Sequence, residues 1–181
     1  MTTLLIRKSI SSDLDSLLEV NKLAFGKEEG PEVVTLIKEL LDDPTAQPLI
    51  SLMALVNQNT AGHIIFSNAA ISARQDIKAA ILAPLAVHPD YQNRGIGGKL
   101  IQAGLKRLTE EGTGLVFVLG HPDYYPRHGF KPAFPYGFNP PHPIPEKHAD
   151  AWMVLDLYTD VINPISGTVI CANALNRREY W

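Results

Sequence analysis

Three glycines, Gly95, Gly97 and Gly98, crowd into four positions of the stretch AVHPDYQNRGIGGKLIQ, between Arg94 and Lys99. An amphipathic helical pattern starts at once after them. Glycine weakens a helix, so its use here needs a reason. The opening turn of a helix carries backbone N–H groups without internal partners, at the positive end of the dipole. Glycines let an anion come close to that backbone, and a strand–glycine loop–helix unit is a phosphate cradle. The competing reading is a tight turn whose glycines only permit close packing. The phosphate is not that of an ATPase: Gly98-Lys99 is followed by Leu100, which has no hydroxyl for magnesium. Nor is it that of NAD or FAD, since Leu100 stands where the third glycine of the dinucleotide fingerprint belongs.

Other reactive side chains are more scattered. His63, His88, His121, Asp123 and His128 are proton-transfer candidates by type, and none is singled out. Tyr124 and Tyr125 offer phenols. No His-Glu-x-x-His, cysteine pair or Gly-x-Ser-x-Gly elbow occurs, so a zinc site or a hydrolase triad is not expected. Cys171, the single cysteine, lies in the apolar run TVICA and reads as a small buried residue.

These residues need elements to hold them. TLLIRKSI fits a first strand. Ser12 stands three residues before Asp15, a capping pattern, and Leu14, Leu17, Leu18 and Phe25 form a helical stripe that Gly26 stops. A second helix reads from Pro31 through Val33, Leu36, Ile37, Leu40 and Leu41 to Asp43-Pro44. LISLMALV and AGHIIFS, separated by NQNT, predict an antiparallel hairpin. AAILAPLAV, residues 79–87, is a strand that Pro84 interrupts, so it is either an edge or bulged there. A helix with Leu100, Ile101, Leu105 and Leu108 on one face runs from Ile96 to a stop at Gly112. GLVFVLG is a short strand after it. The proline-rich segment that follows is mostly loop, with a very short helix near Tyr124. AWMVLDLY and GTVICA end the chain as strands.

The 181 residues suit one domain, 1–181, and alternating strands and helices in the middle predict a mixed α/β sheet. At 45% hydrophobic, 19% charged and a net charge of −3, nothing favours bulk attraction to nucleic acid or an acidic membrane. No uncharged apolar run approaches the ~20 residues of a membrane helix. The N-terminal apolar run is too short for a signal peptide. With a single cysteine and no Asn-x-Ser/Thr acceptor, the expected location is the cytoplasm.

Gln92-Asn93-Arg94-Gly95-Ile96-Gly97 resembles the Gln/Arg-x-x-Gly-x-Gly/Ala signature of the GNAT superfamily of N-acetyltransferases. Tyr125-Pro126-Arg127-His128-Gly129-Phe130 resembles its Tyr-x-x-x-Gly-Phe segment. LAPLAVHPDYQNRGIG with GHPDYYPRHGFKPA is similar to the YhbS-like branch, and the resemblance is strong from about Leu82 to Ala133. It implies a largely antiparallel sheet with helices on both faces and two parallel central strands, near 80–87 and 115–119, that splay apart. It implies acetyl-CoA as acyl donor, a primary amine as acceptor, no metal and, as is common in the family, a homodimer. The pyrophosphate would sit on backbone N–H groups from Asn93 through Lys99, with Gln92 beside them. That span takes in Arg94, Gly95, Ile96, Gly97 and Gly98. The pantetheine arm would pair with Leu85, Ala86 and Val87 at a bulge near Pro84. An N–H near Ala86 or Val87 would hold the oxyanion, and Tyr125 would contact the cofactor and serve as general acid. Pocket walls for the acceptor are expected from AFGKEEGPE and from Phe134 to Pro145. A CoA or acyl-CoA sensor without turnover, or a longer acyl donor, remains an alternative.

Overall fold

The computed structural model describes residues 3–158, 161–162 and 165–181. Strand β1 (Leu4–Lys8) leads into the long helix α1 (Leu14–Asp42). The predicted Ser12–Asp15 cap does not form: the N-cap is Asp13, preceded by a 3₁₀ turn. Its carboxylate accepts the Ile10 N–H at 2.8 Å and pairs with both Arg7 terminal nitrogens at 2.6 and 2.9 Å. The Arg7 guanidinium and this N–H hold the Asp13 carboxyl down at about 2.

The two predicted helices are one element broken at Gly26, where φ 76° and ψ −168° are non-helical. Only a residue without a Cβ takes up that backbone freely. The second half starts earlier than predicted. Pro31 therefore lies inside the helix, five residues past the break, and not at a first helical position.

β2 (Ile50–Val56) and β3 (Asn59–Ile71) form the expected hairpin. Asn57 and Gln58 both have positive φ, 48° and 71°, the geometry that lets a two-residue turn match the twist of the strands. β4 (Ala79–Val87) pairs antiparallel with β3, α2 (Ile96–Glu110) crosses over, and β5 (Leu115–Leu119) returns parallel to β4. β4 is therefore central, and the edge reading of Pro84 is overturned. β6 (Lys131–Pro132), β7 (Phe138–Asn139), β8 (Trp152–Asp156) and β9 (Gly167–Cys171) complete the sheet. The order is β1-β2-β3-β4-β5-β8-β6, mostly antiparallel. β9 continues the edge that β2 vacates, pairing antiparallel with the far end of β3 and parallel with β7. Cys171 ends β9 half-buried rather than buried, and desolvation pushes its thiol up to about 11.

The two helices cover opposite faces, as the resemblance implied. Leu36, Ile37 and Leu40 of α1 pack with Ile65, Ile81, Phe117 and Trp152 on one face. Ile96, Leu100, Ile101 and Leu108 of α2 pack with Leu52, Ile64, Phe66 and Val116 on the other. At Gly104 the Phe66 ring fills the space a Cβ would need, which draws α2 down onto β3. No helix among the described residues is long and apolar enough to cross a membrane.

One polar chain penetrates the α1 face. Asn21 Nδ2 donates to Leu17 O and to His63 Nδ1, both at 2.8 Å. Nδ1 is thus an acceptor, and the ring proton on Nε2 faces Ser51 Oγ at 2.9 Å. Ser9 Oγ joins Ser51 Oγ at 2.6 Å. His63 is fully buried, and burial lowers its pKa to about 3. Its folded pKa lies below the ordinary value near ~6.5, so the unfolded chain binds the extra proton between these limits. Stability is complete above pH ~6.5 and falls as the pH drops. We expect the wild type to lose about 2 kcal/mol of unfolding free energy between pH 7 and pH 5 from this group alone. Urea melts of His63→Gln at both pH values should lack that loss; equal slopes would show that His63 is not held neutral.

Candidate functional site

The site begins with a phase error in β4. Ile64 pairs with Leu85 and Phe66 with Leu82, so Ile65 opposes both Ala83 and Pro84. One extra residue is a bulge, and it lies where the sequence suggested. Before it, Ala80 and Leu82 face α2 while Ile81 and Ala83 face α1. After it, the faces are re-phased, so that Leu85 and Val87 turn toward α2. Ala86 is buried opposite His63. On its other side β4 pairs with β5 only over Ala79–Ile81 against Leu115–Phe117. Both strands run on unpaired to each other, β4 to Val87 and β5 to Leu119, and a gap opens between them.

The chain then turns into α2. The Val87 carbonyl accepts from Gln92 Nε2 at 3.1 Å, which ties the loop back to the strand. Asn93 (φ 59°) and Gly95 (φ 76°) take left-handed backbone, and Gly95 is the N-cap of α2. The first helical bond runs from the Lys99 N–H to the Gly95 carbonyl at 3.1 Å. The N–H groups of Ile96, Gly97 and Gly98 are therefore left without intrahelical acceptors. The close-packing role of the glycines is also present. A Cβ on Gly97 would lie 2.6 Å from the Tyr124 hydroxyl, and one on Gly98 would lie 3.0 Å from the His128 ring. Gly95 has open space, so it is required by its φ alone.

The segment after β5 folds over this helix start. A 3₁₀ turn over Tyr125–His128 is held by the Tyr124 and Tyr125 N–H groups bonding the His121 carbonyl at 3.1 and 3.3 Å. Tyr125 packs edge-on against Tyr124 and Phe130, and its ring takes the space a Cβ on Gly120 would need. Burial, with Tyr124 adding to it, pushes the Tyr125 phenol far above the ordinary tyrosine range. Burial also raises Tyr124, against the guanidinium of Arg127, which stands 5.2 Å from its ring centre. Burial and then Arg127 lower His128, whose Nε2 is enclosed without a partner.

Together these parts border one cleft of about 1060 Å³. It passes through the gap between β4 and β5, from the α2 face to the α1 face. Of the residues marked in the sequence, Leu85, Val87, Gln92 and Asn93 border it, as do Gly95, Ile96, Gly97, Gly98 and Tyr125. Ala86, Arg94 and Lys99 do not. Ala86 points into the packed interior, Arg94 is drawn over the Tyr91 ring at 5.5 Å, and Lys99 is exposed on α2. Of the proton-transfer candidates only His121 reaches the cleft. His63 is sealed in its network, and His88 Nδ1 accepts the Asp90 N–H at 3.2 Å. No residue of 134–145 borders the cleft. Phe138, Tyr136 and Ile144 from that segment pack into the α1-side core instead.

Sequence reasoning missed Val33, Leu36, Leu82 and Ala83 as cleft residues, because an apolar stripe looks the same against a core as against a cavity. It also missed Tyr91, whose only signal was its place one turn ahead of the glycines. Among the described residues no cluster of metal-ligating side chains occurs.

Comparison with known proteins gives a consistent picture. Residues 51–132 match the acetyltransferase (GNAT) domain family. An Escherichia coli K12 protein described as uncharacterized N-acetyltransferase YjhQ is 42% identical over 164 residues, 90% of this chain and 88% of that protein. The crystal structure of the Escherichia coli GNAT family N-acetyltransferase YhbS in complex with CoA superposes with a TM-score of 0.85 at 27% identity, covering 98% of this chain and 94% of that one. A Brucella melitensis GNAT family acetyltransferase in complex with acetyl-CoA gives 0.70 at 28% identity, over 96% and 98%.

The contact between Gly97 and the Tyr124 hydroxyl can be tested by a double-mutant cycle. Gly97→Ala should destabilise the fold, and Tyr124→Phe should remove at least ~0.5 kcal/mol of that penalty, because it deletes the atom in the way. Additive effects in urea denaturation would show that the hydroxyl is not what bars a side chain there.

Proposed function

Because the chain belongs to the GNAT family of acetyltransferases, we propose that it transfers the acetyl group of acetyl-CoA to a primary amine through the cleft between β4 and β5. The observation that carries this reading is one juxtaposition: unpaired β4 backbone beside its bulge, opening directly onto the unpartnered N–H groups at the start of α2. A diphosphate bound by those N–H groups gains a hydrogen-bonding, dipole-favoured anion site. The two amides of a pantetheine arm can then add to β4 as a short strand would. The nucleotide end supplies binding energy that places the thioester at the bulge.

The reaction is nucleophilic acyl transfer. The amine nitrogen attacks the thioester carbonyl, and a backbone N–H of β4 near Ala86 or Val87 donates a hydrogen bond to the oxyanion that forms. The C–S bond breaks, and the departing sulfur takes the proton of the Tyr125 hydroxyl. The amine's proton passes to solvent, and the phenol is reprotonated from there. The phenol is protonated across the neutral range, as an acid must be, while burial also makes it a weaker donor, so its proton leaves only as the C–S bond breaks and negative charge builds on sulfur. Proton transfer of this kind accounts for roughly 10²–10⁴-fold in rate.

Tyr125→Phe should therefore lower kcat by about 10²-fold while calorimetry finds the affinity for CoA unchanged. Unchanged kcat would remove Tyr125 from the chemistry. Binding of CoA with no thiol release against any amine would make the protein a sensor rather than a transferase.

A further inference from the structure

The cleft has two chemically different ends. At the α2 end its polar groups, the backbone N–H groups, Gln92, Asn93 and Arg127, stand beside Leu85, Val87 and Ile96, and His121 also borders the cleft. At the α1 end it is bordered by Ala24 and Phe25 before the Gly26 break and by Val33 and Leu36 after it. Leu119 of β5 lies at this end as well. Among the described residues no aspartate or glutamate borders the cleft, and the only fully charged side chain there is Arg127, at the far end. The acidic residues nearest in sequence to the α1 end, Glu28, Glu29 and Glu32, lie between Phe25 and Val33. All three are exposed, and none borders the cavity.

This composition selects among amines. An ammonium group taken out of water needs a carboxylate or several acceptors in return. A polycation would leave its additional charges against apolar wall, with Arg127 repelling it. An uncharged apolar body instead gains from the same wall by burial, at about 25 cal/mol per Å². Resting on the acetyl-transfer reading, with the acceptor at the α1 end, where AFGKEEGPE is expected to form its wall, we infer that this end takes a primary amine carried on an uncharged, apolar body rather than a polyamine or aminosugar. The break at Gly26 is part of this device: by interrupting α1 it lets Phe25 and Val33, on either side, turn to one cavity.

Phenethylamine and spermidine are the probes, with thiol release from acetyl-CoA as the readout and calorimetry on the CoA-loaded protein beside it. Phenethylamine should exceed spermidine at least tenfold in kcat/KM. Val33→Asp should reduce that ratio at least tenfold with acetyl-CoA affinity unchanged. Phe25→Ala, in a half-buried position, should lower kcat/KM for phenethylamine and spare acetyl-CoA binding, which also reports that both variants are folded. Failure of the CoA-loaded protein to prefer phenethylamine, in uptake or in turnover, overturns the assignment. So does a preference for octanoyl-CoA over acetyl-CoA that Val33→Asp abolishes, since the apolar end would then hold the acyl chain of the donor. Absence of any affinity for CoA is a different result, and overturns the acetyl-transfer reading itself.

Discussion

A β-sheet satisfies its backbone by continuous pairing, and the site exists because one central strand does not complete it. The extra residue at Ala83–Pro84 sets β4 out of phase with β3 and accompanies the end of its pairing with β5 after Ile81. Pro84 has no N–H to contribute to either ladder, so this position loses less than any other residue type would by being bulged. Everything else in the site follows from the opening that results. The gap between β4 and β5 becomes a passage through the sheet, and the side chains after the bulge are redirected toward the α2 face.

The two helices give that passage its chemical polarity. α2 begins at its edge, with left-handed Gly95 as cap, and presents unpaired N–H groups to it. α1 lies on the opposite face and presents hydrocarbon. The proposed acyl transfer would use such a division, because a donor's phosphates require hydrogen-bond donors while attack at a thioester is favoured where water is scarce. Tyr124 and Tyr125 sit between these ends, locked by the His121 carbonyl below and by glycines that leave room for their rings.

The rigidity of this arrangement has a source outside the cleft. His63, paired with Asn21 of α1 and Ser51 of β2, lies directly across from Ala86 on β4. The network joins a helix that borders the cavity to the strands beneath its bulged wall. Because its polar atoms have few alternative partners in a closed interior, it specifies one seating of α1 on the sheet.

Local features were readable directly from residue order. The turn within Asn57-Gln58-Asn59-Thr60, the glycines before α2, the helical face from Ile96 to Leu108 and the interruption at Pro84 each depend on neighbours within a few positions, where side-chain type acts on its own backbone. The Ser12 cap failed because the choice between Ser12 and Asp13 was made by Arg7, a residue of β1 that only folding brings alongside. Position relative to the cleft was likewise decided in three dimensions. Ala86 and Leu85 are adjacent and equally apolar, yet the bulge sends one to the interior and the other to the cavity. Val33 and Leu36 read as ordinary core residues, and Phe134 to Pro145 as a pocket wall. Their actual places were set by the break in α1 and by the packing of Phe138 beside Trp152. The sequence alone determined which backbone could bind an anion and which strand had to be irregular, since both are consequences of glycine and proline stereochemistry. Only the tertiary structure decided which hydrocarbon faces a partner inside the chain and which faces a cavity, because burial depends on contacts between residues far apart in sequence.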